Sequence, residues 1–192
     1  MSERYQTGSK APDFNFINPW GGGSEGEKKN FYSDSKGQKK VLFFLRYYGC
    51  RVTQLEFRDI VAESGKISSL GARLYVLLQS APETMRDALK QEDIAFELIC
   101  DPGGELYRLF DVGYAPLGYF IKSLPGNWTR SELFEKRIAE ASALGITHGL
   151  YEGNEQQLPA VFVLDENQNM LLAHYSKDIV DVPSVEDILK YL

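Results

Sequence analysis

The sequence predicts an α/β protein built on a mixed sheet. Three observations carry that reading. Residues 41–45 (Val-Leu-Phe-Phe-Leu) and 74–78 (Leu-Tyr-Val-Leu-Leu) are short, continuous apolar runs, the pattern of strands buried on both faces. Between them lies a stretch of helical periodicity. Further on, residues 160–164 and 170–175, separated by Asp165-Glu166-Asn167-Gln168-Asn169, outline a β-hairpin. Strand, helix, strand and then hairpin places parallel and antiparallel neighbours in one sheet.

Taken in order, residues 1–12 read as an irregular lead-in. Phe14 to Ile17 form an apolar patch closed by Pro19 and Gly21-Gly22-Gly23, and residues 21–40 read as a loop or hairpin with a mobile tip. After the first buried strand, Gly49-Cys50 opens a helix whose apolar side carries Leu55, Ile60 and Ile67. After the second, Ser80-Ala81-Pro82-Glu83 is a helix start with proline in the first turn, and that helix is predicted to run to about Gln91. Phe96 to Ile99 is a shorter third strand, Asp101-Pro102-Gly103-Gly104 a turn, and Glu105 to Phe110 a short helix. Within 114–157 one helix stands out, from a Ser131 cap through Leu133, Phe134, Ile138 and Ala141 to a stop at Gly145. A closing helix follows Pro183, capped by Ser184.

The chain of 192 residues is read as a single domain; 43% apolar and 25% charged residues are ordinary for a globular protein. A net charge of −6 argues against a nucleic-acid groove and against an anionic membrane surface. The first twenty residues lack the apolar run of a secretory signal, and no window approaches the roughly 18 apolar residues of a membrane span. These features predict a cytoplasmic protein, where thiols stay free unless they do chemistry. Two cysteines (Cys50, Cys100) and two histidines (His148, His174) are too few for a disulfide scaffold or a metal cluster, so no metal is expected.

Cys50 is the strongest chemical candidate. It follows a buried strand and Gly49 and opens a helix, where unsatisfied backbone N–H groups and the helix dipole favour an anion. Arg46 and Arg51 flank it. Thiols in such settings attack disulfides and peroxides. The bland alternative is a small apolar residue filling space behind a turn. The motif is Cys50-Arg51-Val52-Thr53, so the usual second thiol of C-x-x-C is absent. Cys100, at a strand end before Asp101-Pro102, reads as a buried apolar residue or as a resolving thiol for Cys50. His174 reads as a solvent-face residue, and His148 takes no role. The aromatics Tyr114, Tyr119, Phe120 and Trp128 read as packing for the 114–157 segment, with a groove as the alternative.

Several motifs in order carry a resemblance. Gly8-Ser9-Lys10-Ala11-Pro12-Asp13-Phe14, residues 38–44, Leu98-Ile99-Cys100-Asp101-Pro102 and residues 157–165 are similar to successive segments of peroxiredoxins and related AhpC/TSA proteins. The resemblance implies a thioredoxin-like (peroxiredoxin-like) fold, a central mixed sheet flanked by helices, with an N-terminal extension over about 1–40 and an insertion over about 114–157. It departs from the family at the chemistry. With Cys50 in the family's cysteine position, Tyr47 stands in place of its threonine, Phe43 of its proline, and Pro159 of its arginine.

The resemblance implies an antioxidant redoxin needing no cofactor: a thiol oxidoreductase in which Cys50 is the nucleophile. Thr53, one turn on, is expected to donate a hydrogen bond to the thiolate. Arg46 and Arg51 would bind substrate, and Pro159 as a cis proline would shape the groove for a thiol partner, the alternative being an ordinary trans proline entering an edge strand. The implied partners are a disulfide or peroxide substrate and a thiol donor such as glutathione or thioredoxin. Two alternatives stay open: a redox-inactive binding module that uses the 114–157 segment as its surface, and a peroxidase pairing Cys50 with Cys100.

Overall fold

The computed structural model describes residues 4–115 and 132–192. Among these residues seven strands form one sheet in the order β2-β1-β5-β4-β3-β6-β7. They are β1 (Asn15–Asn18), β2 (Glu27–Asn30), β3 (Lys40–Phe44), β4 (Arg73–Leu78), β5 (Glu97–Cys100), β6 (Ala160–Leu164) and β7 (Met170–Tyr175). β3, β4 and β5 run parallel, while β1, β2, β6 and β7 join through antiparallel pairs. The sheet is therefore mixed, as the strand spacing predicts. Among the described residues the α-helices are α1 (Phe31–Asp34), α2 (Arg51–Ser69), α3 (Pro82–Ala88), α4 (Glu105–Leu109), α5 (Glu132–Ala143) and α6 (Val185–Leu189).

Side-chain alternation along the central strands divides the core in two. Leu42, Phe44, Tyr75, Leu77, Ile99 and Phe162 face the aromatics Phe14, Phe16 and Phe31, Tyr107 of α4 and Phe110 at its C-terminal end. Val41, Phe43, Leu45, Val76 and Leu78 face Phe57, Ile60 and Ile67 of α2 and Ile188 of α6. Strands covered on both faces need apolar residues at every position, which is why β3 reads as an unbroken run.

Helix ends follow local chemistry. Asp101 caps α4, its carboxylate accepting from Glu105 N (2.9 Å) and Leu106 N (2.8 Å). Burial raises the Asp101 carboxyl above its ordinary range, although these N–H donors work the other way. Ser184 caps α6 through Asp187 N (3.2 Å). α3 stops at Ala88 rather than near Gln91, because Leu89 turns extended (φ −132°) and packs onto the α2-side core. The Ser131 cap lies outside the described residues. β1 falls largely in the apolar patch read from Phe14 to Ile17 and β2 in the segment read as a loop or hairpin over 21–40; together they form the β1–β2 hairpin, which continues the sheet through the Ile17–Cys100 pair. Its turn needs glycine at position 26: φ is +83°, and a Cβ there would lie 2.4 Å from the Asn18 carbonyl oxygen. Among the described residues no helix is long and apolar enough to cross a membrane, and no three His, Cys, Asp or Glu side chains gather as metal ligands.

Candidate active site around Cys50

The site starts at the C-terminal end of β3. Leu45 N donates to Leu77 O (3.0 Å), extending the ladder one residue. The buried Tyr107 hydroxyl donates to Leu77 O (3.0 Å) and Leu45 O, pinning this strand end to β4. The chain then turns: Cys50 N donates to Tyr47 O (3.2 Å), and Gln54 N donates to Cys50 O (2.9 Å) as the first turn of α2. Cys50 is thus the N-cap of the 19-residue α2, in extended conformation (φ −69°, ψ 128°) and with no side-chain cap bond.

Arg46 reaches back across this turn. Its Nη1 donates to Cys50 Sγ at 2.8 Å, and its Nη2 donates to the Glu155 carbonyl. The guanidinium carbon lies 5.4 Å from the Tyr47 ring centroid, within cation–π range. Arg46 and Cys50 are both buried. A buried guanidinium donating to sulfur stabilises negative charge there more strongly than a solvated one.

Residues 146–157 form a strap over this turn. Gly149 N donates to Gly49 O (2.8 Å). A Cβ on Gly49 would lie 2.0 Å from Leu150 O, so only glycine permits the approach. Gln54 Nε2 donates to Thr147 O (3.0 Å). The Glu152 carboxylate accepts from Ala81 N (3.0 Å) and Thr84 Oγ1 (2.9 Å) at the start of α3. Asn154 N donates to Gln79 Oε1 (2.8 Å). Inside the strap, His148 Nδ1 lies 2.8 Å from Gly149 O, so that nitrogen carries the proton. In the neutral ring, Nε2 then accepts from the Tyr47 hydroxyl at 3.0 Å. Burial, with the neighbouring Cys50 acting in the same direction, pushes the Tyr47 phenol well above its ordinary range, which keeps it a donor.

The other sequence-derived residues sit differently. The Arg51 guanidinium turns to the end of α5, donating to Ile146 O (3.1 Å), Ile138 O (3.3 Å) and Ser142 Oγ. Thr53 is buried in the first turn of α2; among the described residues no hydrogen bond joins its hydroxyl to Sγ. Pro159 is buried just past the Phe44–Ala160 pair, at the strand end from which Cys50 follows. The expectation of a cis bond is corrected: no cis peptide occurs among the described residues. A trans Leu158–Pro159 lets Leu158 N donate to Gly113 O (3.1 Å) and Ser176 N to Pro159 O (3.3 Å), and the β6 ladder starts directly at Ala160.

Cys50 and Cys100 are both free. Cys100 lies on β5, two strands from β3, roughly 10 Å at ordinary strand spacing. It packs with the α2-side core, whereas Cys50 packs with Tyr47, Val52, Leu158, Ile179 and Val180. Burial first, then nearby Glu152, pushes the Cys100 thiol up to about 12. Tyr114 is exposed and bridges to Gln157 through the backbone; Tyr119, Phe120 and Trp128 lie outside the described residues. Sequence reasoning left Tyr47, His148 and Glu155 without roles at the site. The glycines at 145, 149 and 153 are the one signal that could have marked a close-docking segment.

The AhpC/TSA family profile matches residues 7–172. No curated protein sequence matches the chain significantly. Among solved structures, a thiol:disulfide interchange protein DsbE from Chlorobium tepidum is 18% identical, with a TM-score of 0.57 over 97% of this chain and 98% of that one. A yeast mitochondrial 1-Cys peroxiredoxin is 16% identical, with a TM-score of 0.62 over 96% and 73%. A cysteine-to-serine mutant of peroxiredoxin 6 from Arenicola marina is 16% identical, with a TM-score of 0.61 over 96% and 70%. The fold is thioredoxin-like.

Proposed function

The chain belongs to the AhpC/TSA family of thioredoxin-fold redoxins, and from that premise we propose a thiol-dependent oxidoreductase in which Cys50 is the sole nucleophile and an external thiol restores it. The observation that carries this reading is the 2.8 Å contact from Arg46 Nη1 to Sγ at the start of α2. The family's arginine position holds Pro159, yet a guanidinium reaches the sulfur from four residues upstream.

The sulfur attacks one atom of an S–S or O–O bond, a sulfur–sulfur or sulfur–oxygen bond forms, and the other half leaves as thiolate or alkoxide and takes a proton. Arg46 stabilises the charge that builds on the reacting atoms. Thr53 and Pro159 border the nucleophile in this scheme, while Arg51 holds α5 in place. With a mixed disulfide at Cys50, one external thiol releases the bound half. With a sulfenic acid, a first thiol gives a mixed disulfide and water, and a second releases a disulfide. Cys100 is a poor resolver, being buried on β5 and held protonated.

Mass spectrometry after a limiting dose of peroxide or glutathione disulfide tests this. Cys50 should carry the modification, reduced glutathione should reverse it, and Cys100 should stay unmodified. An unmodified Cys50, or a Cys50→Ser variant with undiminished turnover, overturns the reading. One observation favours a redox-inactive binding module: Leu144, Leu150 and Tyr151 of the insertion are exposed beside a buried thiol. A partner retained equally by wild type and Cys50→Ser would support that module.

A further inference from the structure

Cys50, the residue proposed to react, is 5% exposed, yet its reaction needs an oxidant and then a thiol to reach the sulfur. We infer that the strap over 146–157 is a size gate, which restricts Cys50 to low-molecular-weight oxidants and thiols and excludes protein disulfides and protein dithiols. This deepens the reading of Cys50 as nucleophile and rests on it.

A protein thiol needs an open groove along the sulfur so that two backbones can approach. Here the turn that carries the sulfur is covered by the chain's own backbone: Gly149 lies against Gly49, the residue before Cys50, with its N–H on the Gly49 carbonyl, and the Glu155 carbonyl accepts from the guanidinium that contacts Sγ. The strap is held at points remote from the thiol as well, through Glu152 on the start of α3 and Asn154 on Gln79. Lifting it costs several hydrogen bonds at once, so the open form is a minor state. A reagent of a few heavy atoms needs only local adjustment of side chains. A macromolecular partner reacts only with the open fraction, and its rate falls by that fraction. The specificity-determining residues are therefore Gly49 and Gly149, which let the strap close, and Glu152, which anchors its far half.

The inference separates thiol donors by size. With Cys50 as sulfenic acid, a small thiol supplies the sulfur for a mixed disulfide as water leaves, and a second thiol molecule releases the disulfide. The sulfenic sulfur is reduced by two electrons and the two thiols are oxidised.

Stopped-flow modification of the reduced full-length protein tests the gate. Methyl methanethiosulfonate and a small protein carrying its surface thiol as the nitrothiobenzoate mixed disulfide are each normalised to their rate with free cysteine, so the ratio cancels the intrinsic nucleophilicity of the sulfur. The wild type should favour the small reagent by about tenfold or more. Gly149→Val, whose side chain presses on Gly49, and Glu152→Ala, which frees the far anchor, should each bring the ratio to within about twofold of free cysteine. Recovery of oxidised Cys50 should show the same order, cysteamine ahead of a thioredoxin-type protein dithiol in the wild type and the gap narrowed in both variants. Equal normalised rates in the wild type overturn the gate alone, and that measurement needs no variant. A ratio unchanged in whichever variant keeps the wild-type circular dichroism and melting temperature also overturns it. A Cys50 inert to both reagents overturns the nucleophile reading, and the gate with it.

Discussion

Cys50 and Cys100 invite comparison because burial does not separate them. Each lies near the C-terminal end of a parallel strand, each is 5% exposed, and each is free. Their neighbours differ. Cys50 has a guanidinium N–H on its sulfur and a 19-residue helix starting at its backbone. Cys100 sits in apolar core with Glu152, Glu83 and Asp101 nearby, and Arg86 offsets them only in part. Low exposure therefore says little about whether a thiol can react. What stabilises negative charge at the sulfur decides it.

The largest expected effect breaks the comparison outright. Cys50→Ser should lower thiol-dependent turnover by on the order of a thousandfold or more, as loss of a nucleophile does, while Cys100→Ala stays within about twofold of wild type. Steady-state reduction of a small disulfide or hydroperoxide measures both. Arg46→Met should follow, slowing modification of Cys50 by small reagents about ten- to a hundredfold, the size of a lost charge-assisted hydrogen bond. Equal rates in wild type and variant would leave Cys50 with no advantage over Cys100 from its partner.

The third effect concerns pH. The Cys100 thiol is raised to about 12 in the fold, above its value in the unfolded chain. Its contribution to stability is therefore complete below the unfolded value near 8.5 and is lost as pH rises towards about 12. Denaturant unfolding between pH 8 and 11 should show that decline, and Cys100→Ala should flatten it relative to wild type. The smallest effect is Tyr47→Phe, which removes the hydrogen bond to His148 and should cost about 1 kcal/mol of stability, read as a lower urea midpoint.

Much of the fold was legible because the relevant signals are local. β3, β4, the β6–β7 hairpin and the helix opening at Cys50 rest on apolar runs, turn residues and caps that a short window contains. The β1–β2 hairpin was less so: β2 is Glu-Lys-Lys-Asn, an edge strand with charged residues and no apolar alternation. At the site, Cys50 and Arg46 were legible by their adjacency. Arg51 was misleading for the same reason, since nothing local says that its guanidinium turns towards α5. Tyr47, His148 and Glu155 were illegible as a group, because their meeting depends on how residues 146–157 return over the turn before α2.

That return has a consequence for how the chain reaches its native state. The contacts that shelter Cys50 join residues far apart in sequence: 101 positions separate Tyr47 from His148, and 109 separate Arg46 from Glu155. Closing loops of that length is slow compared with forming a helix or a hairpin, so these contacts assemble late. Cys50 is synthesised early, and its shelter arrives only after some hundred further residues. A newborn or refolding chain therefore passes through a period in which the sulfur is bare and indiscriminate. Under the proposed gate, partner choice is acquired with the last steps of folding, and a destabilised variant would lose it before it lost its secondary structure.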